Sequence, residues 1–234
     1  MAFHWQNLYK IDKVTKNRQA FGEKVISISK EMNINPNWLM GLMYFETAQT
    51  MSHTITNSIG CVGLIQFCSI ARQELNVSAA QLKAMTNVDQ LTYVRNYFMG
   101  KAWKRNLVAK VKDVVDLYLI IFYPLAAGKS LDYVLGSHNG TSRSIYNANP
   151  AFKDGTGKVK VRNVRDKILS FLPSFDSYSN VNVTHDNYAW NVNTSEVTVT
   201  APPINKKPQK ESNSSFLWIA LLIAATQTNK LKLL

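Results

Sequence analysis

The sequence predicts a mainly helical protein. One α-rich domain covers residues 1–173 with at most a small β-hairpin, a flexible linker covers 174–213, and a C-terminal apolar helix covers 214–234. Three observations carry this reading. Apolar residues recur at helical spacing between successive capping signals, the composition shifts to Asn, Ser and Thr after Pro173, and Phe216 to Thr226 is an uncharged apolar run.

Phe21, Val25, Ile28 and Met32 fall on one face of a helix over Asn17 to Met32. Asn35-Pro36 starts the next, because Asn can cap free N–H groups and Pro fits the first helical position. That helix, to Thr47, is apolar around most of its circumference and so is expected in the core. A loop from Thr47 to Gly63 and a helix from Leu64 to Leu75 follow, with Asn76 as its stop. Ser78 with Gln81 makes a capping box, and Thr86 with Asp89 resembles a second, opening a helix that Gly100 ends. Asp113 starts a strongly apolar helix, Val114 to Tyr123, broken by Pro124. Leu131 to Leu135 reads as another short turn of helix. Lys153 to Lys158, followed by alternating Val159 and Val161, predicts a small β-hairpin or turn before a closing helix from Val164 to Leu172.

Glu46 is the only acid of the second helix and sits at its end. A glutamate there is either a solvated surface residue or a buried acid. Burial would resist ionisation and leave a group able to donate a proton near neutral pH. The acids nearest in sequence, Glu31 and Glu74, stand at positions typical of surface charges, and none lies between Glu46 and Glu74.

The formal charge of +12 belongs to the globular part, since residues 1–174 carry a net +11. Such a field draws the domain towards a polyanion. No nucleic-acid-binding motif is evident and the basic residues are scattered, so no nucleic acid is expected as partner. Cys61 in the loop and Cys68 in the predicted helix are read as small packing residues, because that placement argues against a disulfide. No metal site and no cofactor are expected. Met1 to Lys24 has five basic residues and no sustained apolar run, so no secretory signal is predicted.

Glu46-Thr47 followed by the Ser58-to-Gln66 segment, with Gly63-Leu64-Ile65-Gln66, resembles the lytic transglycosylases of the lysozyme superfamily, in their phage-encoded form. In that family the catalytic glutamate ends a buried helix, is followed by Ser or Thr, and precedes a Gly-Leu-Met-Gln segment. The resemblance covers about Asn17 to Leu172 and implies a lysozyme-like domain that cleaves the β-1,4 bond between N-acetylmuramic acid and N-acetylglucosamine in peptidoglycan glycan strands. It makes Glu46 the acid and then the base. Gln66 would position the sugar, or else cap backbone groups of its own helix. Ser58 would turn the loop or contact substrate, and the backbone at Gly63 and Leu64 could meet the sugar. The family's Tyr-Asn-x-Gly element has two imperfect matches, Tyr123 (with Pro124 in place of Asn) and Tyr146, either of which could instead pack in the core. The stretch Asn149 to Lys160 keeps Asp154 but lacks the alternating oxygen ligands of a calcium loop, so no calcium is expected.

Phe216 to Thr226 would rise only about 17 Å, short of a roughly 30 Å hydrocarbon layer. Extending it from Ser214 to Asn229 gives about 24 Å, with Lys230 and Lys232 placed to snorkel. A lipid membrane is therefore the expected partner of this segment, and a helix docked on protein is the alternative. The expected setting is a virion-associated, membrane-attached enzyme acting on the bacterial wall, with virion proteins as further partners. The rival is a non-catalytic structural or glycan-binding protein on the same fold.

Overall fold

The structure is a computed structural model that describes residues 4–140 and 142–179. The linker expected over 174–213 lies outside the described residues from position 180 onward, as does the whole of the apolar helix expected over 214–234.

Ten helices and one two-stranded sheet are described. They run α1 (Arg18–Met32), α2 (Pro36–Glu46), α3 (Ser69–Glu74), α4 (Ala79–Ala84), α5 (Asn87–Met99), α6 (Ala102–Val108), α7 (Val114–Phe122), β1 (Val134–Ser137), α8 (Arg143–Ala148), β2 (Lys158–Lys160), α9 (Val161–Ser170) and α10 (Asp176–Ser179). The mainly helical expectation holds. Two helices form the centre. Every residue of α7 is buried, and so is every residue of α2 except Trp38. They pack on each other, with α1 against α2 and α5 and with α6 between α5 and α7. This is what helices apolar on all sides must do, since no face can be left to water.

The caps act as the sequence indicates. Asn35 Oδ1 accepts from Asn37 N at 2.8 Å, and the reciprocal Ser78–Gln81 box is complete. Thr86 Oγ1 accepts from Asp89 N at 3.0 Å. Asp113 Oδ1 takes the N–H groups of Val115 and Asp116.

Several expectations are corrected. The helix expected from Leu64 begins only at Ser69, because Val62 pairs with both Thr56 and Phe67 in antiparallel bridges and turns the chain back. Leu131 to Leu135 is not helical. Its end enters β1, whose Gly136 and Ser137 face Val159 and Lys158 of β2. The strand pair is therefore long-range rather than a local hairpin around Gly155. Helices α6 and α8 were not anticipated. Cys61 and Cys68 are joined by a disulfide rather than merely packed.

Folded structure also extends beyond residue 173. Phe175 is buried, stacks edge-on against Tyr9 at 4.8 Å, and fills the space beside Gly41, where a Cβ would lie 2.7 Å from its ring. The carbonyl of Tyr178 accepts from Asn37 Nδ2 at 3.0 Å. The residues after Pro173 thus lock the start of α2.

Lys104 of α6 is only 2% exposed, and its Nζ lies 2.8 Å from Glu74 Oε1 and 3.6 Å from the centroid of Tyr97. Burial holds its pKa below the usual lysine value, while Glu74 opposes the shift. Glu74, expected at a surface position, is thus tied to a buried cation. Lys104→Met should cost about 3 kcal/mol in urea unfolding by stranding the Glu74 carboxylate, and adding Glu74→Gln should recover most of that loss. A double variant no more stable than Lys104→Met would show that the pair is not coupled.

Candidate active site

Helix α2 delivers Glu46 as its last residue, and what fixes the helix fixes the carboxyl. At the N-terminus Asn35 caps the first turn, and Asn37 Oδ1 accepts from Tyr9 N at 2.8 Å. At the C-terminus Thr47, fully buried, donates from Oγ1 to Met43 O at 2.7 Å and accepts from Met51 N at 2.9 Å. A hydroxyl is needed there to satisfy a helix-end carbonyl and the returning chain together. Three residues beyond it, Ala48, Gln49 and Met51, adopt positive φ of 51°, 65° and 56°. Left-handed backbone outside glycine is unfavourable, and clustered outliers of this kind accompany functional sites. Gln49 anchors the turn through its N–H to Tyr44 O at 2.8 Å and its carboxamide to Phe171 O at 2.9 Å.

The surroundings of Glu46 are apolar and aromatic. Phe45 stacks edge-on with Tyr118 of α7 at 5.3 Å, and Tyr118 stacks on Phe122. Glu46 is buried, and no group hydrogen-bonds its Oε1. Burial pushes its pKa up to about 8. The Glu46 charge is felt by two fully enclosed tyrosines, Tyr97 of α5 and Tyr118, and it adds to the burial that raises both phenols. The Tyr118 hydroxyl is likewise buried without a hydrogen-bond partner. A protonated carboxylic acid beside two neutral phenols is an arrangement that can donate a proton.

The loop after the acid is held from within. Gly63 has φ +88°, and a Cβ there would collide with the carboxamide of Gln90. Gln90 is fully buried. Its Oε1 accepts from Leu64 N at 2.7 Å, and its Nε2 donates to His53 O at 2.8 Å and Leu82 O at 3.0 Å. Gly63 N donates to Ile55 O, and Gly63 O accepts from both the backbone and the side chain of Gln66. The backbone donors of Gly63 and Leu64 are therefore spent inside the protein. Gln66, 4% exposed, is held inward by its 3.1 Å bond to Gly63 O, in a turn that precedes the helix beginning at Ser69. Arg72 ties Gly60 O and Phe67 O at 2.9 and 2.7 Å, and the Cys61–Cys68 disulfide closes the same segment. Ser58 is exposed, beside a turn in which Asn57 Oδ1 accepts from Ile59 and Cys61 N–H groups.

Tyr123 is half-buried where α7 ends and Pro124 begins a short 3₁₀ turn. Tyr146 lies on α8 against His138, at 5.6 Å between rings, and lines a groove beside the sheet to which Glu46 does not contribute. The two tyrosines that sense the Glu46 charge, Tyr97 and Tyr118, were not singled out from sequence, nor was Gln90. A signal existed for the residues of α5, because Asn87, Gln90, Leu91, Val94, Tyr97 and Phe98 recur at spacings of three and four on one buried face.

Glu31 pairs with Arg95, and Glu74 with Lys104. Buried Asp116 accepts N–H groups from Lys112 and Gly128 at 3.0 and 2.9 Å. Among the described residues, no three or more His, Cys, Asp or Glu side chains converge to hold a metal ion, and no helix is long and apolar enough to cross a membrane. Searches of the chain against protein-family models, curated proteins and solved structures found no match.

Between the ordinary glutamate pKa of 4.5 and about 8, folded Glu46 keeps a proton that the unfolded chain releases. Stability should therefore fall as pH rises through this window, by on the order of 5 kcal/mol when complete. Thermal unfolding of wild type and Glu46→Gln should coincide near pH 5, and the variant should become the more stable by pH 9. Parallel curves across the range would mean that Glu46 ionises normally.

Proposed function

We propose that this protein is a peptidoglycan-cleaving muramidase with a lysozyme-like helical domain, acting as a lytic transglycosylase of phage type. The observation that carries the reading is Glu46: an acid at the end of a buried helix, kept protonated by burial. The order of Glu46-Thr47 and Gly63-Leu64-Ile65-Gln66 supports it. So does the state of the neighbouring acids, since Glu31 and Glu74 are each bound to a cation and neither is free to serve as a second catalytic carboxylate.

In the proposed reaction the Glu46 carboxyl gives its proton to the oxygen linking N-acetylmuramic acid to N-acetylglucosamine, and the bond from that oxygen to the muramyl C1 breaks. The substrate's acetamido oxygen steadies the oxocarbenium-like centre. The Glu46 carboxylate then takes the proton of the muramyl 6-hydroxyl as that oxygen bonds to C1. The product is a 1,6-anhydro sugar and the acid is restored. Tyr97 and Tyr118 keep the surroundings apolar so that the proton stays on Glu46. The setting proposed is a phage enzyme for entry or release, with the C-terminal segment attaching it to lipid.

A second reading is a non-catalytic glycan-binding protein on the same scaffold. One observation favours it: the groove of about 500 Å³ beside the sheet is not lined by Glu46.

Mass spectrometry of soluble products from purified sacculi separates these. Wild type should release anhydro-muropeptides with activity falling as pH rises through about 8, and Glu46→Gln should release none. Reducing-end products would make the enzyme a lysozyme instead, and no products from folded wild type would favour the binding protein.

A further inference from the structure

A groove of about 500 Å³, within the usual size range of small-ligand sites, opens between the β1–β2 pair and α8. We propose that it is a second saccharide-binding site, separate from Glu46, for a sugar bearing an anionic substituent such as the lactyl carboxylate of a muramyl unit. The choice of ligand rests on the wall-glycan reading above, while the existence of the site rests on its own geometry.

The walls are built in advance of any ligand. Ser137 pairs with Lys158 in the ladder, and His138 N donates to Gly157 O at 2.8 Å, which joins the two sides. Asp154 Oδ1 accepts from Thr156 N at 2.9 Å and from its hydroxyl at 2.6 Å, which sets the turn before Lys158. Gly136 places the aromatic element. A Cβ there would lie 2.6 Å from Ser142 O and 3.0 Å from Tyr146 N, so only glycine lets α8 rest on β1 and bring Tyr146 to the groove.

The lining matches a charged sugar. The Tyr146 ring, braced by His138, supplies an apolar surface for the C–H face of a pyranose. Ser137, Asn139 and Thr156 supply hydroxyl and carboxamide groups for its polar edge. Among the described residues, no acidic side chain lines the groove. Lys158 does, and the Lys153 ammonium sits 4.2 Å from the Tyr146 centroid. Asp154 in the adjoining turn accepts from Thr156 and keeps its charge, which offsets one of the two lysines. The positive charge that remains is what a carboxylate would meet with a charge-assisted hydrogen bond.

The test uses the full chain carrying Glu46→Gln, so that no probe is consumed, and follows the backbone amide resonances of His138, Gly155 and Gly157. The probes are the disaccharide N-acetylglucosaminyl-N-acetylmuramic acid and neutral diacetylchitobiose. Saturable shifts at these amides are expected, with the carboxylated sugar binding about tenfold more tightly. Tyr146→Ala should weaken both sugars about tenfold, and Lys158→Ala should bring the carboxylated sugar down to the neutral one. Shifts confined to the Ser58–Gln66 loop, or no shifts, would overturn the site. Equal affinity for the two sugars would overturn its anionic selectivity. Binding here does not depend on turnover, so a protein that binds but cleaves no sacculi would sink the muramidase reading and leave this site standing.

Discussion

Removing the Glu46 carboxyl from water is the constraint on which the rest of this structure depends. Two helices, α2 and α7, are apolar on nearly every face and can be stable only against each other and the surrounding core. Their packing sets Phe45 edge-on to Tyr118, and a carboxyl at the end of α2 finds phenols and aliphatic groups where a surface glutamate would find solvent. Keeping that carboxyl neutral is less costly than burying its charge, which is why the proton stays on at pH values where an ordinary glutamate has lost it. The position is over-determined by polar groups at both ends of α2: Asn35 and Asn37 at the start, Thr47 and Gln49 at the finish.

The segment after the acid is built to be stiff. Three left-handed residues in the turn, Gln90 reaching in from α5, Arg72 gathering two carbonyls and the Cys61–Cys68 disulfide all restrain one stretch of chain. Gln66 and the Gly63–Leu64 backbone serve this internal frame. Each bond that holds the loop is unavailable for holding a ligand.

Electrostatics divide the molecule in a consistent way. Among the described residues, exposed Glu31 is matched to Arg95, Glu74 to Lys104 and buried Asp116 to backbone N–H groups, whereas the buried Oε1 of Glu46 has no hydrogen-bond partner. Lys104 joins the two regimes. It neutralises Glu74 while resting on Tyr97, a ring that also feels Glu46. The formal charge of +12 includes Lys158, which lines the groove at Tyr146, and Lys153, whose ammonium lies over that ring.

What the sequence determined by itself was local. The caps at Asn35, Ser78, Thr86 and Asp113, the helices they open, and the isolation of Glu46 on an apolar helix follow from short-range rules, in which a residue's partners lie within four positions. The tertiary structure decided everything that joins distant residues. Val134 pairs with Lys160 across 26 positions of chain, and Lys104 finds Glu74 across 30. Cys61 meets Cys68 only because the chain between them turns back through Val62 and Phe67. Gln90 could be placed on a buried face by periodicity, but its partners Leu64, His53 and Leu82 could not, since nothing local distinguishes one distant backbone group from another. The two phenols beside Glu46 belong to the same class. They come within reach of the acid's charge through tertiary packing, Tyr118 on α7 against α2 and Tyr97 on α5, and spacing along the chain carries no record of which side chains a crossing of helices will bring together.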